Sequence, residues 1–181
     1  GGGRGVRSVR AKRYAVLVDA ENAQASTCKE ILSEVATLGD VTLKRAYADW
    51  AQPNMKSWKE VLLETAVKPM QSFSYTSGKG SSDSAMIIDA MDLLYQSHEI
   101  DGFVLVTSDS DFTGLAIRLR EAGKEVVGFG KMTTPSSVRT ACTRFIYVEN
   151  LVASEPEGGE ASQESEEEGE GAGKAPQKRS S

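Results

Sequence analysis

An α/β fold on a doubly wound, mostly parallel sheet is what this sequence predicts, and three observations carry the expectation. Short apolar runs alternate with segments of helical period from Tyr14 to Val148. The runs at Ala15–Val18 and Phe103–Val106 are continuously apolar, as strands buried on both faces read. Both end in acids, Asp19 and then Asp109 with Asp111, where a parallel sheet presents its carboxyl edge to ligands.

The elements follow in order. Tyr14–Val18 is the first strand, and a periodic segment from Gln24 to Leu38 is a helix closed by Gly39. Val41–Tyr47 is rich in β formers and makes the second strand; Met55–Glu64 is a helix after the Pro53-Asn54 breaker. Pro69–Tyr75 reads as a third strand with proline at its start. After the loop Gly78-Lys79-Gly80, Asp83–Ser97 is the longest helix, with Met86, Ile87, Ala90, Leu93 and Leu94 at helical spacing. Phe103–Val106, Phe112–Ala122 closed by Gly123, Glu125–Phe129, Ser136–Cys142 and Phe145–Val148 complete the alternation of strand and helix. Crossovers between parallel strands are right-handed.

Composition bounds the class. At 181 residues and 39% hydrophobic, the chain supports one domain, expected over 14–152. Residues 151–181 carry eight Glu against Lys174, Lys178 and Arg179, so the whole net charge of −5 resides there and the rest is balanced. Residues 153–181 are expected to be an acidic disordered tail, too poor in apolar groups to offset ordering entropy. Residues 1–13 hold Arg4, Arg7, Arg10, Lys12 and Arg13 with no acid, and read as a flexible basic arm of the kind that meets phosphates. A Glu-rich stretch at Glu164–Glu170 is a candidate mimic of phosphate lying over that arm. Cys28 and Cys142 lack metal-ligand spacing, so reduced thiols and a cytoplasmic setting are expected. No run is long enough to span a membrane. A start at Gly1 rather than Met suggests that neighbouring domains are absent.

The acids point to chemistry. In a sheet of order 3-2-1-4-5 the first and fourth strands meet at the switch point, bringing Asp19 beside Asp109 and Asp111. Asp83, in the first turn of a helix, faces the same edge. At an effective dielectric near 20, two carboxylates at about 4 Å repel by roughly 4 kcal/mol, so a cation is needed. Oxygen ligands without His or Cys suit Mg²⁺ or Mn²⁺, which hold phosphates and activate water. Taken singly, each Asp is explained by turn formation or helix capping; three separate segments supplying acids to one edge is what points to a site.

The segments Val16-Leu17-Val18-Asp19-Ala20-Glu21-Asn22, Gly78-Lys79-Gly80-Ser81-Ser82-Asp83 before Ile88-Asp89-Ala90, Thr107-Ser108-Asp109-Ser110-Asp111-Phe112 and Leu119–Lys124 together resemble the NYN domain, LabA-like branch, of the PIN-like nuclease superfamily. That resemblance spans roughly residues 14–150. It implies a metal-dependent ribonuclease in which Asp19, Asp83, Asp109 and Asp111 hold the metal and carry catalysis. Single-stranded RNA is the implied partner, with an additional RNA-binding module of winged-helix type common in relatives; a homodimer is left open.

Around the acids, Asn22, Lys79, Ser108, Ser110 and Lys131 are candidates to bind substrate phosphates, with Arg139 beside Lys131. Tyr47 and Trp50 are candidates to stack bases, whereas Trp58, in register with Leu62, reads as core. His98, the single histidine, reads as a helix C-terminal dipole partner. Competing functions are a non-catalytic RNA-binding module on the same fold and a haloacid dehalogenase-like phosphatase. Asp19-Ala20-Glu21 fits the latter poorly, since its third position is Glu.

Overall fold

The computed structural model describes residues 10–73 and 81–153, with the side chains of 81–83, 152 and 153 excluded. Six parallel strands form one sheet in the order β3-β2-β1-β4-β5-β6. They are β1 (Arg13–Asp19), β2 (Asp40–Ala48), β3 (Lys68–Gln71), β4 (Gly102–Val106), β5 (Glu125–Gly130) and β6 (Arg144–Tyr147). The helices are α1 (Cys28–Leu38), α2 (Lys56–Thr65), α3 (Ser81–Gln96), α4 (Thr113–Glu121), α5 (Ser136–Ala141) and α6 (Val148–Ala153). Strand order reverses between β1 and β4, so the doubly wound expectation and its switch point both hold.

Alternate residues of the central strands feed two separate cores. Ala15, Leu17, Phe103 and Leu105 pack with Met86, Leu93 and Leu119 on the α3–α4 side. Tyr14, Val16, Val18, Val104 and Val106 pack with Ile31, Val35 and Trp58 on the α1–α2 side. This two-sided burial is why β1 and β4 read as unbroken apolar runs. Each fully buried Val or Leu contributes about 1.5–3 kcal/mol of hydrophobic transfer, which pins the register of the strands that carry the acids.

Local deviations have local causes. The β1–β2 register shifts between Tyr14 and Ala15, and the Thr42 hydroxyl donates to the Tyr14 carbonyl at 3.1 Å there. Gly39 does close α1, but with extended backbone; its glycine is required because a Cβ would lie 2.4 Å from the Lys12 carbonyl oxygen. Gly123 ends α4 with φ +82°, the left-handed cap expected of it. β3 is shorter than expected and lies at the sheet edge, where Pro69 costs no ladder bond to a second neighbour. The expected run to Tyr75 and the loop with Lys79 extend beyond the described residues. The last strand ends at Tyr147, and the unexpected α6 begins at Val148 and packs Val148 and Leu151 onto the α1 side.

The described part of the basic arm is bound at the amino edge of the sheet. Arg10 pairs with Asp101, Lys12 with Glu125 and Arg13 with Glu99. The remainder of the arm and the acidic tail lie outside the described residues. Among those described, no helix is long and apolar enough to cross a membrane. Cys28 and Cys142 are free and buried in opposite cores, and burial pushes both thiols up to about 11.

Candidate active site

Asp19 is the last residue of β1 and is fully buried at the carboxyl edge. Its Oδ2 accepts from the Asn22 amide at 2.8 Å and from the Thr107 hydroxyl at 3.1 Å. Asn22 is placed by a turn in which its own N–H meets the Asp19 carbonyl, so residues 19–22 form a self-orienting unit. Next door, β4 ends at Val106, and Thr107 continues toward β5 by donating its N–H to the Phe129 carbonyl.

Thr107 joins the two strand ends. Its hydroxyl donates its single proton to Asp19 and accepts the Asp109 N–H at 3.1 Å. Asp109 in turn caps the short 3-10 turn Ser110–Phe112 by accepting the Asp111 N–H at 2.9 Å. The two-residue spacing therefore acts as a cap, with Asp109 half-buried and Asp111 exposed. Sequence reasoning named both acids and missed Thr107; the one signal for it is a β-branched hydroxyl directly after a buried strand.

The remaining candidates divide. Asn22, Ser108, Asp109 and Lys131 line one cleft of about 460 Å³ at this edge. Ser108 Oγ accepts the Lys131 N–H at 3.0 Å and so ties the loop after β4 to the loop after β5. Ser110 and Asp111 are exposed on the 3-10 turn and do not line that cleft. Asp83 is the third residue of α3, as expected; its side chain and the whole of Lys79 lie outside the described residues. Arg139 donates to the Tyr147 hydroxyl at 3.0 Å and is absent from the cleft walls.

One aromatic expectation needs correction. Tyr47 is 1% exposed and cannot stack a base; its hydroxyl is in short contact with Asp89 of α3. Arg45 reaches both oxygens of the same carboxylate, at 2.9 and 2.8 Å. Burial and the Asp89 bond both push the Tyr47 hydroxyl well above its ordinary range. Trp50 is half-buried, its indole N–H bound to the Met70 carbonyl and its ring edge-on to Trp58. Trp58 is core, as expected. His98 is exposed in the turn after α3.

The donor set suits a hard cation. All candidate ligands are oxygens, and Mg²⁺ is held through one or two carboxylates plus waters and substrate phosphates. Among the described residues no three of His, Cys, Asp and Glu converge to hold a metal ion. Of the four candidate ligands, Asp19 and Asp109 stand at adjoining strand ends, Asp111 is exposed on the turn beyond, and the side chain of Asp83 lies outside the described residues.

The family model of the NYN domain matches residues 13–149. Among solved structures, a protein of unknown function from Vibrio parahaemolyticus is similar at 20% identity with a TM-score of 0.65, over 80% of this chain and 98% of that one. That likeness shows the fold. Acinetobacter baumannii MurG is similar at 9% identity with a TM-score of 0.47, over 75% of this chain and 41% of that one. The Bordetella pertussis WlbA dehydrogenase reaches 21% and 0.39, over 74% and 34%. Neither carries an argument here. No curated protein matches the chain.

Proposed function

The chain belongs to the NYN domain family of the PIN-like nuclease superfamily, and from that premise we propose a metal-dependent ribonuclease of the LabA-like branch that cleaves single-stranded RNA in the cytoplasm. The observation that carries the reading is the Thr107 hydroxyl, which binds the Asp19 carboxylate and the Asp109 backbone at the switch point of the sheet. Two acids from distant segments are thereby held as one unit beside a polar cleft.

Asp19 and Asp109, with Asp83 and Asp111, would hold Mg²⁺ or Mn²⁺. Such an ion supplies charge neutralisation for a phosphodiester and a water of lowered pKa. The protein's own part is orientation. Asn22 and Thr107 fix the direction of the Asp19 carboxylate through an amide N–H and a hydroxyl. Lys131 and Ser108 stand on the cleft wall where a phosphate of the strand would lie. Lys131 supplies a point charge for it. Ser110 and Lys79 remain candidates for the flanking phosphates.

A non-catalytic RNA-binding module on the same fold is the second reading. It keeps the same acids and the same polar cleft and differs in lacking turnover. The deciding experiment incubates the purified chain with single-stranded RNA and Mn²⁺ or Mg²⁺, beside EDTA and Asp109→Asn controls. Cleavage abolished by both controls supports the nuclease. Cleavage that survives either one, or tight binding with no cleavage in any metal, overturns it.

A further inference from the structure

A second chamber adjoins the polar cleft. Also about 460 Å³, it is backed by the buried side of Val106 and Phe129 and walled by Ala23, Val148 and Met132. Asn22, Ala23, Gln24, Ser108, Lys131 and Thr133 line both spaces, so the two are one continuous crevice. Its mouth carries Asp109 and Glu21, and its interior is mainly apolar. The apolar walls Val106, Phe129, Met132 and Val148 have no part in the metal and phosphate roles above.

We propose that the chamber is a nucleobase subsite, holding one unpaired base of the RNA whose phosphate lies in the mouth; its assignment to RNA rests on the ribonuclease reading. Three features select this occupant. The volume falls within the roughly 300–1,000 Å³ of small-ligand pockets, a size that takes a nucleoside and not a folded segment. The shared wall with Ser108 and Lys131 requires an apolar body joined at short range to an anion, which is the build of a nucleotide unit. At the far end stands Glu149, whose Oε2 accepts the Met132 N–H at 2.6 Å. A carboxylate there opposes an aliphatic tail and suits the N–H donors on a base edge.

Met132 supplies the lip. Its side chain is 57% exposed while its backbone is fixed by Glu149. A thioether so placed is adaptable apolar surface left in water, and sulfur contacts with flat rings are favourable. The chamber backs onto Val106 and Phe129 of the α1–α2 core, and Thr107, whose hydroxyl holds Asp19, also stands on its wall. A bound base would thus stand beside the strand ends that carry the acids.

The test compares adenosine 5′-monophosphate with ribose 5-phosphate on the full chain in Mg²⁺, by calorimetry. The nucleotide should bind at least about tenfold more tightly, the gain of removing one base from water onto apolar walls. Val148→Trp, which fills the chamber from a wall that the polar cleft does not share, should erase that difference and leave ribose 5-phosphate binding unchanged. Met132→Ala, on the exposed lip, should narrow it several-fold and serves if the larger substitution unfolds the chain. Equal binding of the two phosphates overturns the subsite while RNA cleavage in Mn²⁺ stands unaffected. Octanoate that displaces the nucleotide and binds more tightly than it also overturns the subsite, in favour of an aliphatic ligand. Selective nucleotide binding with no RNA cleavage supports the subsite and rejects the nuclease.

Discussion

The two edges of the sheet treat charge in opposite ways. At the amino edge, acids meet cations: Asp101 with Arg10, Glu125 with Lys12, and Glu99 with Arg13. At the carboxyl edge, an amide and a hydroxyl orient Asp19 and a backbone N–H holds Asp109. A neutral donor fixes the direction of a carboxylate, whereas an ion pair also spends its charge. The lesson is that acids at two ends of one sheet do different work according to what holds them.

The comparison breaks most visibly at Asp109. Asp109→Asn, or EDTA on the intact chain, should remove several kcal/mol of transition-state stabilisation, on the order of 10²–10³-fold in RNA cleavage rate. The melting temperature should change little, because Asn keeps an oxygen for the Asp111 N–H. An equally active variant would place the carboxyl edge in the same class as the amino edge.

Thr107→Val should come next. It strips one donor from a buried carboxylate and leaves the Asp109 N–H without its acceptor, at a cost of about 1–3 kcal/mol in denaturant unfolding. Cleavage should fall about 10–100-fold, as loss of a group orienting a ligand does, and Thr107→Ser should restore it. Failure of serine to rescue would show that the methyl packing and not the hydroxyl matters.

Arg45→Met tests a contact between the edges. Asp89 is held by Arg45 and Tyr47 together, and the carboxylate beside Arg45 raises the guanidinium pKa against the opposing effect of burial. Loss of the cation should destabilise the fold by about 1–3 kcal/mol and loosen α3, which carries Asp83. Hydrogen exchange localised to α3 is the readout; uniform loss of protection would reject the anchoring role.

Tyr14→Phe is the smallest and concerns pH. Burial first, then the Glu125 bond, pushes the Tyr14 hydroxyl up to about 12. Burial opposes ionisation of Glu125, yet Lys12 and Tyr14 hold its carboxyl below the usual range. A raised pKa gives stability that is present below pH 10 and lost as pH climbs toward about 12. A lowered carboxyl pKa gives stability present above pH 4.5 and lost as pH falls beneath it. Removing the hydroxyl should cost about 1 kcal/mol at neutral pH and flatten the alkaline decline of the melting temperature. An unchanged alkaline limb would show that Tyr14 does not set it.

Much of this was legible in the residues. The unbroken apolar runs identified β1 and β4, and strands joined by helices called for a parallel sheet; the order 3-2-1-4-5 comes from the doubly wound class, and the structure supplies it. Asp19 and Asp109 could be placed because each ends such a run. Thr107 escaped because its partner is 88 positions away in the chain and its hydroxyl looks like any other in a turn. Tyr47 was misread for the same reason: alternation in β2 shows that a side chain is turned, and not that Asp89, 42 positions on, waits to meet its hydroxyl. The six-residue α6 offers too little periodicity to distinguish it from the strand before it. The crevice walls come from four separate loops and element ends, which no single segment displays.

The adjacency of β1 and β4 has a kinetic meaning. β1 pairs with β2 across a loop of modest length, but its other edge must wait for residues 102–106. Closing so long a loop costs conformational entropy before any reward arrives, and topologies rich in such pairings fold slowly. The Asp19–Thr107 bond sits at the end of that late ladder. Recovery of RNA cleavage on refolding should therefore lag behind recovery of helix signal, and the lag would time the closing of the β1–β4 seam.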